Sequence, residues 1–406
     1  MSSSKKTVLI IGTGSLLNYG CEAIVRGSYR ILRTFFPDCE IFVASDDKVY
    51  DATILPPDIH LVSYKKRFTL YRLFKGVLRR CFNQGKGSPV RMNTTIGKKY
   101  DIILSCGGDN FCESPDGKIL NLLIDLMRIG ETAHLARKKY ILWGASVGPF
   151  HDMQNMSFVF KNLMQCDLIN VREELSYQYL QQDKQVFSNT KLVADPAFCL
   201  EADTNVDFCK EIGKIYIVLN ISLLSIAHSI SPNEIENFKL QLFRQLDSIL
   251  SSDSRYFFVC IPHVIVSQDS GQNDIVFMNE YIEKSEYKQR ISILPPYIGA
   301  AKTKGYIQQM DLLIAARMHC CVGGISVATP TLFVTYSNKG IGMSFYAYGH
   351  HNFEVKVSEL LTSKFMDLIT SMLMQKVEIK HYLELQQKRF VQDAMNSGKY
   401  LKELFS

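Results

Sequence analysis

Short apolar runs alternate with helix-like segments along most of this chain of 406 residues. The first run, 7–12, ends in glycine, and the segment that follows, 20–36, carries apolar residues at helical spacing. Fully buried strands of parallel sheets have this uninterrupted apolar character, and their alternation with helices is typical of α/β proteins. The pattern therefore predicts an α/β fold built on parallel sheets.

The alternation breaks once and then begins again, which predicts two sheets. We expect two doubly wound, Rossmann-like domains that face each other across a cleft. The predicted boundaries are 1–205 for the first domain, with a basic insertion at about 60–99, 206–355 for the second domain, and 356–406 for C-terminal helices that pack back on the first.

Composition excludes several classes of protein. With 47% hydrophobic and 21% charged residues, the chain can bury a large core and is neither disordered nor collagen-like. The longest apolar stretch, 311–336, is interrupted by Arg317, His319 and Pro330, so no membrane span is expected. The eleven cysteines form no CxxC pair, which favours reduced thiols over disulfides or a zinc site. Residues 1–6 do not resemble a secretory signal, and we expect a cytoplasmic protein.

The net charge of +6 is mild, but its distribution is uneven. Eleven Lys or Arg residues and no Asp or Glu lie within 60–100. In the segment 64–82 aromatic and aliphatic residues stand among these cations, which predicts an interfacial helix on an anionic membrane surface. A solvated helix and an anion-facing wall of the cleft are the alternatives. No nucleic-acid partner is expected, because no recognition module is present.

Ligands of parallel α/β sheets bind beyond the carboxyl ends of the strands. In the second half this rule selects His263, Arg317, His319 and Lys339, each of which follows a predicted strand. Two fixed cations suit a ligand with several negative charges, and an imidazole beside them can move a proton near neutral pH. Each residue also has a plain structural explanation, such as a solvated charge or a helix cap.

In the first half the same edge carries a glycine-rich loop and several hydrogen-bonding side chains. The loop lacks the dinucleotide fingerprint, because Leu17 stands where the third glycine would be, and it lacks a Walker lysine. Neutral and acidic side chains suit sugar hydroxyls better than phosphate, although an ordinary turn explains 109–110 equally well. The candidate acceptor-binding residues are Asn18, Gly20, Glu22, Asp109 and Asn110.

Seven short motifs occur in an order that resembles the polysaccharide pyruvyltransferase family. The resemblance covers roughly 7–340. The motifs are Gly12…Asn18-Tyr-Gly20-Cys-Glu22-Ala23, Gly107-Gly108, Gly148-Pro149, Val171-Arg172-Glu173…Ser176, Asp195-Pro196-Ala197-Phe198, Asp311…Arg317-Met318-His319 and Pro330…Tyr336…Lys339.

The resemblance implies a two-domain enzyme similar to the GT-B glycosyltransferases. Such enzymes move the enolpyruvyl group of phosphoenolpyruvate onto two hydroxyls of a sugar, forming a pyruvate ketal and releasing phosphate. The family's Arg-x-His motif corresponds to Arg317 and His319, its downstream lysine to Lys339, and an upstream arginine to Arg172. Met318 stands where the family often has Leu, and Cys21 where it commonly has an acidic residue.

The residues and the resemblance predict one site. Arg317 and Lys339 would hold the phosphate and carboxylate, Arg172 would reach across the cleft, and His319 would act as general acid. The acceptor would be a sugar or lipid-diphosphate-linked glycan of a surface polysaccharide, such as a capsule or exopolysaccharide. The predicted catalytic residues are His319, Arg317 and Lys339, and the predicted phosphoenolpyruvate site comprises Arg172, His263, Arg317, Met318, His319 and Lys339.

Phosphoenolpyruvate is expected as a co-substrate, with no cofactor and no metal. Two other functions are compatible with the same pattern. One is a GT-B-like glycosyltransferase that uses a nucleotide sugar, and the other is a non-catalytic protein that binds sugars or anions.

Overall fold

The computed structural model describes residues 5–64, 92–108, 110–113, 117, 119, 121–182, 187–266 and 272–406. These ranges contain thirteen strands and thirteen α-helices. The predicted interfacial segment 64–82 lies, apart from Tyr64, outside the described residues. In the described part of the chain, no helix has the length and apolar character that crossing a membrane requires.

The first sheet has seven strands in the order β3-β2-β1-β4-β5-β6-β7, and every pairing is parallel. Its four central strands, β1, β4, β5 and β6, are almost entirely buried, as expected for a parallel sheet. The strand order reverses between β1 and β4, which is where α/β sheets open a crevice for ligands. The strands are β1 (Thr7–Ile11), β2 (Glu40–Ala44), β3 (Ile59–Val62), β4 (Ile102–Ser105), β5 (Lys139–Ala145), β6 (Leu168–Val171) and β7 (Thr190–Leu192).

The second sheet has six parallel strands in the order β10-β9-β8-β11-β12-β13. Its order reverses between β8 and β11, so each half has its own crevice. Two doubly wound domains are therefore confirmed. The strands are β8 (Ile215–Asn220), β9 (Tyr256–Cys260), β10 (Ile291–Ile293), β11 (Leu312–Ala315), β12 (Thr331–Thr335) and β13 (Glu354–Lys356).

Helices connect the strands in both halves. The first half contains α1 (Tyr19–Phe35), α2 (Lys48–Ile54), α3 (Asn121–Leu135), α4 (Met153–Leu163) and α5 (Glu174–Gln181). The second contains α6 (Leu223–Ala227), α7 (Ile235–Ser252), α8 (Asp274–Lys284), α9 (Gly299–Gln308), α10 (Met318–Ser326) and α11 (Asn338–Tyr348). The chain ends with α12 (Ser363–Met374) and α13 (Lys376–Glu403). Short 3₁₀ turns occupy Thr94–Lys98, Pro196–Cys199, Lys288–Arg290 and Val357–Glu359.

The last helix, α13, contacts both halves. Gln387 donates to the Ser326 carbonyl at 3.1 Å in the second half, and the Asp393 carbonyl accepts from the Ala194 amide at 3.2 Å in the first. The Phe390 ring stacks on Phe198 with centroids 5.0 Å apart. The final segment therefore joins the two sheets.

A buried lysine fixes the chain where it leaves the first half. Lys304 of α9 is 5% exposed, and its ammonium donates to the carbonyl of Leu200 at 2.5 Å. Close by, the Asp203 amide donates to the Ala301 carbonyl at 2.9 Å. Burial, the largest influence, lowers the pKa of Lys304 to about 7.

This lysine makes a contribution to stability that rises with pH. Between about pH 7 and 10, an unfolded chain binds a proton at this site that the folded chain has released, so the contribution of Lys304 to the free energy of unfolding increases with pH. The increase reaches about 1.4 kcal/mol per pH unit for a single group. The buried cysteines, whose pKa values burial raises, act in the opposite direction. The difference between the wild type and Lys304→Met, each unfolded by denaturant at pH 7 and pH 9, therefore measures the contribution of the lysine.

The Lys304→Met variant should lose this rise, and Lys302→Met, on the same helix, should keep it. An unchanged pH dependence in Lys304→Met would assign the effect to another group.

Candidate active site

The two halves are hydrogen-bonded to each other along the loop that precedes α1. The Tyr19 amide donates to the His263 carbonyl at 2.9 Å, and the Ile265 amide donates to the Leu17 carbonyl at 2.9 Å. Between these bonds, Asn18 and Val264 form an antiparallel bridge. This interdomain seam, formed by 17–19 and 263–265, places the carboxyl edges of the two sheets side by side.

His319 lies where the two halves meet. It is the second residue of α10, which follows β11 at the reversal of strand order. Its Nε2 is 3.2 Å from Oδ2 of Asp195 and 3.3 Å from Nη1 of Arg172, both in the first half. The opposite side of the ring packs on Gly20, where a Cβ would stand 2.5 Å from Nδ1. The imidazole is therefore held between groups of the first half.

Arg317 is anchored by a carboxylate that the sequence analysis did not identify. Its Nε and Nη2 donate to Oδ1 of Asp274 at 3.1 and 2.8 Å, and Nη2 also donates to the Gln272 carbonyl at 2.7 Å. The side chain is 11% exposed. Oδ2 of Asp274 accepts from the amides of His263 and Val264 at 2.9 and 3.0 Å. Asp274 thus fixes both the guanidinium and the strand end beside it.

His263 is a buried imidazole, and neither of its ring nitrogens has a hydrogen-bond partner among the described residues. It is 5% exposed, and the ring meets Tyr19 edge-on with centroids 5.8 Å apart. Burial, reinforced by the charges of His319 and Arg317, lowers the pKa of His263 to about 3. The ring is therefore neutral at physiological pH and can offer one donor and one acceptor without adding charge.

Two helices begin directly after adjacent strands of the second sheet. Helix α10 follows β11, and α11 follows β12. At neither N-terminus does the side chain of the N-cap residue make a capping hydrogen bond within the described part of the chain. Met318 begins α10 and is partly buried against the core, while Lys339 lies half-buried in the first turn of α11. Uncapped N-termini carry partial positive charge and unsatisfied amides, an arrangement that suits phosphate.

Arg172 is more deeply buried than a residue reaching toward a substrate was expected to be. It is 2% exposed; Nη1 donates to Asp195 Oδ2 at 2.7 Å and Nε donates to Ser146 at 3.1 Å. Gly108 permits this placement, because a Cβ there would stand 2.7 Å from Nη2. Arg172 does approach His319 across the cleft, and Oδ2 of Asp195 lies within reach of both side chains.

Three of the candidate acceptor residues serve the protein itself. The Glu22 carboxylate is fully buried and binds Arg26 at 2.8 Å and the Ala300 amide at 2.7 Å, so it joins α1 to α9 and leaves no exposed oxygen for a sugar. Burial raises its pKa. The Asn110 amide nitrogen donates to the carbonyls of Gly12 and Cys106 at 2.9 and 3.1 Å. The His319 ring packs directly against Gly20, which leaves no room there for a side chain.

The two remaining candidates differ in what can be described. The half-buried Asn18 caps α1, with its side-chain oxygen accepting from the Gly20 amide at 3.0 Å. Asp109 lies outside the described residues.

The carboxylates Asp195 and Asp274 are the site residues that sequence reasoning did not assign. Asp195 belongs to the motif Asp-Pro-Ala-Phe, which follows a predicted strand. Its position at a strand end was the sequence feature that could have identified it as a site residue. Asp274 lies 43 residues before Arg317, at the start of an ordinary helix, and nothing in the sequence pairs the two.

The contact between Gly20 and His319 gives a test of this arrangement. In Gly20→Ala the new methyl would stand 2.5–2.9 Å from three atoms of His319, so the imidazole must shift and lose its present geometry with Asp195. We expect enzyme activity to fall by about 10²-fold, the scale of losing a positioned acid–base group. The matched control is Gly323→Ala in α10, where the nearest atoms are at 3.6 and 3.9 Å. Equal activities in the two variants would contradict the packing.

The fold has known counterparts. UDP-GlcNAc 2-epimerase from Neisseria meningitidis, solved with UDP-GlcNAc, superposes with a TM-score of 0.58 at 10% identity, covering 98% of this chain and 100% of that one. A glycosyltransferase from Rickettsia africae ESF-5 gives a TM-score of 0.55 at 11% identity, covering 98% and 100%. These similarities establish the fold, which is that of GT-B glycosyltransferases and epimerases, as the sequence predicted.

A family model described as polysaccharide pyruvyl transferase matches residues 18–338, which include the interdomain seam and Arg317 through His319. The match covers most of the chain and confirms the resemblance seen in the sequence. This chain therefore belongs to the polysaccharide pyruvyl transferase family.

Proposed function

We propose that the protein transfers the enolpyruvyl group of phosphoenolpyruvate onto two hydroxyls of a sugar, forming a pyruvate ketal and releasing phosphate. The acceptor in this proposal is a lipid-diphosphate-linked precursor of a surface polysaccharide, such as a capsule or exopolysaccharide. The observation that carries it is the position of His319: an imidazole on an uncapped helix N-terminus, held between the carboxyl edges of both sheets.

The second half supplies the donor site in this proposal. Phosphoenolpyruvate places a phosphate and a carboxylate on one carbon, and the N-termini of α10 and α11 approach the same edge from neighbouring strands. Asp274 balances much of the charge of Arg317, and the bonds to it use Nε and Nη2 but not Nη1. Attraction for the anion would then come from the two helix ends together with Arg317 Nη1 and Lys339.

The neutral His263 fits beside such an anion. A charged imidazole buried next to Arg317 would be costly, whereas a neutral ring can donate one hydrogen bond to a carboxylate or accept one from a hydroxyl. We assign Arg172 to holding Asp195 and His319, because its guanidinium is buried against both.

The chemistry needs two protons to move. As the first sugar hydroxyl attacks C2, His319 protonates C3, and the neutral imidazole then takes up the proton of that hydroxyl. The second hydroxyl attacks C2 and displaces phosphate, which departs with the second hydroxyl proton. The double bond becomes a methyl group and a ketal carbon, so atoms and charge balance.

Phosphate release with phosphoenolpyruvate and a panel of free, nitrophenyl- and lipid-linked sugars tests this function. The wild type should release phosphate and add the mass of a pyruvate ketal to an acceptor, and His319→Ala should lower the rate by about 10² or more. His381→Ala, an exposed histidine of α13, is the matched control and should retain full activity.

Phosphoenolpyruvate should also raise the melting temperature, because a ligand of the native state stabilises it. Stabilisation by a nucleoside diphosphate sugar, with no phosphate released from phosphoenolpyruvate, would instead favour a glycosyltransferase.

Contact with an anionic membrane surface through 64–82 is part of the same proposal, because it would bring the enzyme to a lipid-linked acceptor. The support is the composition of the segment, in which cations alternate with aromatic and aliphatic residues.

Vesicle flotation tests this contact. The wild type should float with vesicles containing anionic lipid, in a salt-sensitive manner, and not with neutral vesicles. Removing three charges near the surface should weaken binding by about 10²-fold. The variant changes Lys65, Lys66 and Arg67 to Gln, and its control changes Lys380, Lys388 and Lys399 to Gln. Equal binding by both variants would reject a role for the segment.

A further inference from the structure

Asp195 is a fully buried carboxylate that receives hydrogen bonds from both halves of the protein. Its Oδ1 accepts from the Ala197 amide at 2.9 Å, which caps the turn that follows. Its Oδ2 lies 2.7 Å from Arg172 Nη1 and 3.2 Å from His319 Nε2. Two donors, one from each half of the protein, therefore converge on a single oxygen.

Asp195 is ionised in the folded protein. Burial alone would raise the pKa of this carboxyl, but the positive charges of His319 and Arg172 hold it well below its usual range. A buried carboxylate is tolerated only when it is paired and hydrogen-bonded, and both conditions are met here.

The geometry also identifies which ring nitrogen of His319 carries the proton. Arg172 can only donate, so its approach to Nε2 at 3.3 Å would be a hydrogen bond only if Nε2 were unprotonated. In that case a lone pair on Nε2 would face the Asp195 carboxylate at 3.2 Å, which is repulsive. With a proton on Nε2, the hydrogens of His319 and Arg172 both point at Oδ2.

We infer that Asp195 is a positioning residue that holds the Nε2 proton of His319, so that Nδ1 is the atom that exchanges protons during the reaction. Nδ1 lies on the other side of the ring, which packs on Gly20 at the end of the glycine-rich loop of the first half. This inference rests on the proposed function, because it assigns the proton transfer of that reaction to one atom.

The assignment defines the steps at His319. In the imidazolium form, Nδ1 gives its proton to C3 while the acceptor oxygen bonds to C2. The ring is then neutral with its proton on Nε2, and Nδ1 takes the proton lost by the hydroxyl. Asp195 stabilises the imidazolium at both ends of the cycle and keeps its own charge throughout, as a buried aspartate does beside a catalytic histidine.

The charged and titratable groups around the ring are few among the described residues. Asp195 and Arg172 face it from the first half, and Arg317 and His263 stand beside it in the second. Asp195 is the group among these four whose charge favours the imidazolium.

The Asp195→Asn variant tests the inference, because it preserves the shape of the side chain and removes the charge. We expect kcat to fall by about 10²-fold with little change in the KM for phosphoenolpyruvate. Asp311→Asn is the control, since Asp311 is also buried and paired, with Lys210 at 2.6 Å and Lys376 at 2.7 Å, but lies away from the site.

Other outcomes would contradict either the role of Asp195 or the proposed function itself. An unchanged kcat in Asp195→Asn would overturn the positioning role, whether or not the KM for phosphoenolpyruvate rises. A wild type that transfers nothing from phosphoenolpyruvate would instead reject the proposed function.

A measurement on the wild-type protein keeps the test independent of how the variants fold. Nitrogen-15 NMR of histidine-labelled protein, with the His319 signals identified by comparison with His319→Gln, reports the tautomer. We expect neutral His319 to carry its proton on Nε2. A proton on Nδ1 would overturn the inference whatever the kinetics show.

Discussion

The buried carboxylate of Asp195 is satisfied only when the two halves are together. Arg172 from the first half neutralises it, and His319 from the second half completes its hydrogen bonds. The contact between the halves at this point is therefore the one that completes the hydrogen bonds of this buried oxygen. Gly20 and Gly108 belong to the same arrangement: each lacks the Cβ that would push aside the imidazole or the guanidinium. The close approach of backbone and site, rather than loop flexibility, explains why these two positions are glycine.

The site attracts anions differently from what a count of its cations suggests. Arg317 and Arg172 are each paired with an aspartate, so most of their charge is already balanced. These pairs fix the orientation of each guanidinium, because a guanidinium bound to a carboxylate presents its remaining N–H groups in a fixed direction. The uncapped ends of α10 and α11 add partial charges that need no counterion inside the protein. A neutral His263 adds no further positive charge beside these groups.

The long apolar strands were predictable from the sequence, because a buried strand of a parallel sheet appears as a continuous run of apolar residues. The division of these strands into two sheets was predictable for the same reason. The short strands β3, β10 and β13 were not, since three or four residues at or near a sheet edge carry little pattern. The positions of Arg317 and His319 followed from the rule that ligands meet strand ends. Their partners Asp274 and Asp195 depend on contacts across 43 and more than a hundred residues, which local patterns do not encode. Glu22 and Asn110 were expected to face a sugar, but buried loops need such side chains to satisfy backbone amides and carbonyls.

The helix α13 also constrains how a substrate can enter. It is one unbroken element fastened to Ser326 on one side and to Ala194 and Phe198 on the other. Because the helix holds both halves, moving them apart would break its contacts with at least one of them. The seam of 17–19 and 263–265 fastens the halves at a second place, so a substrate that needs the halves to part must first break one of these two sets of contacts.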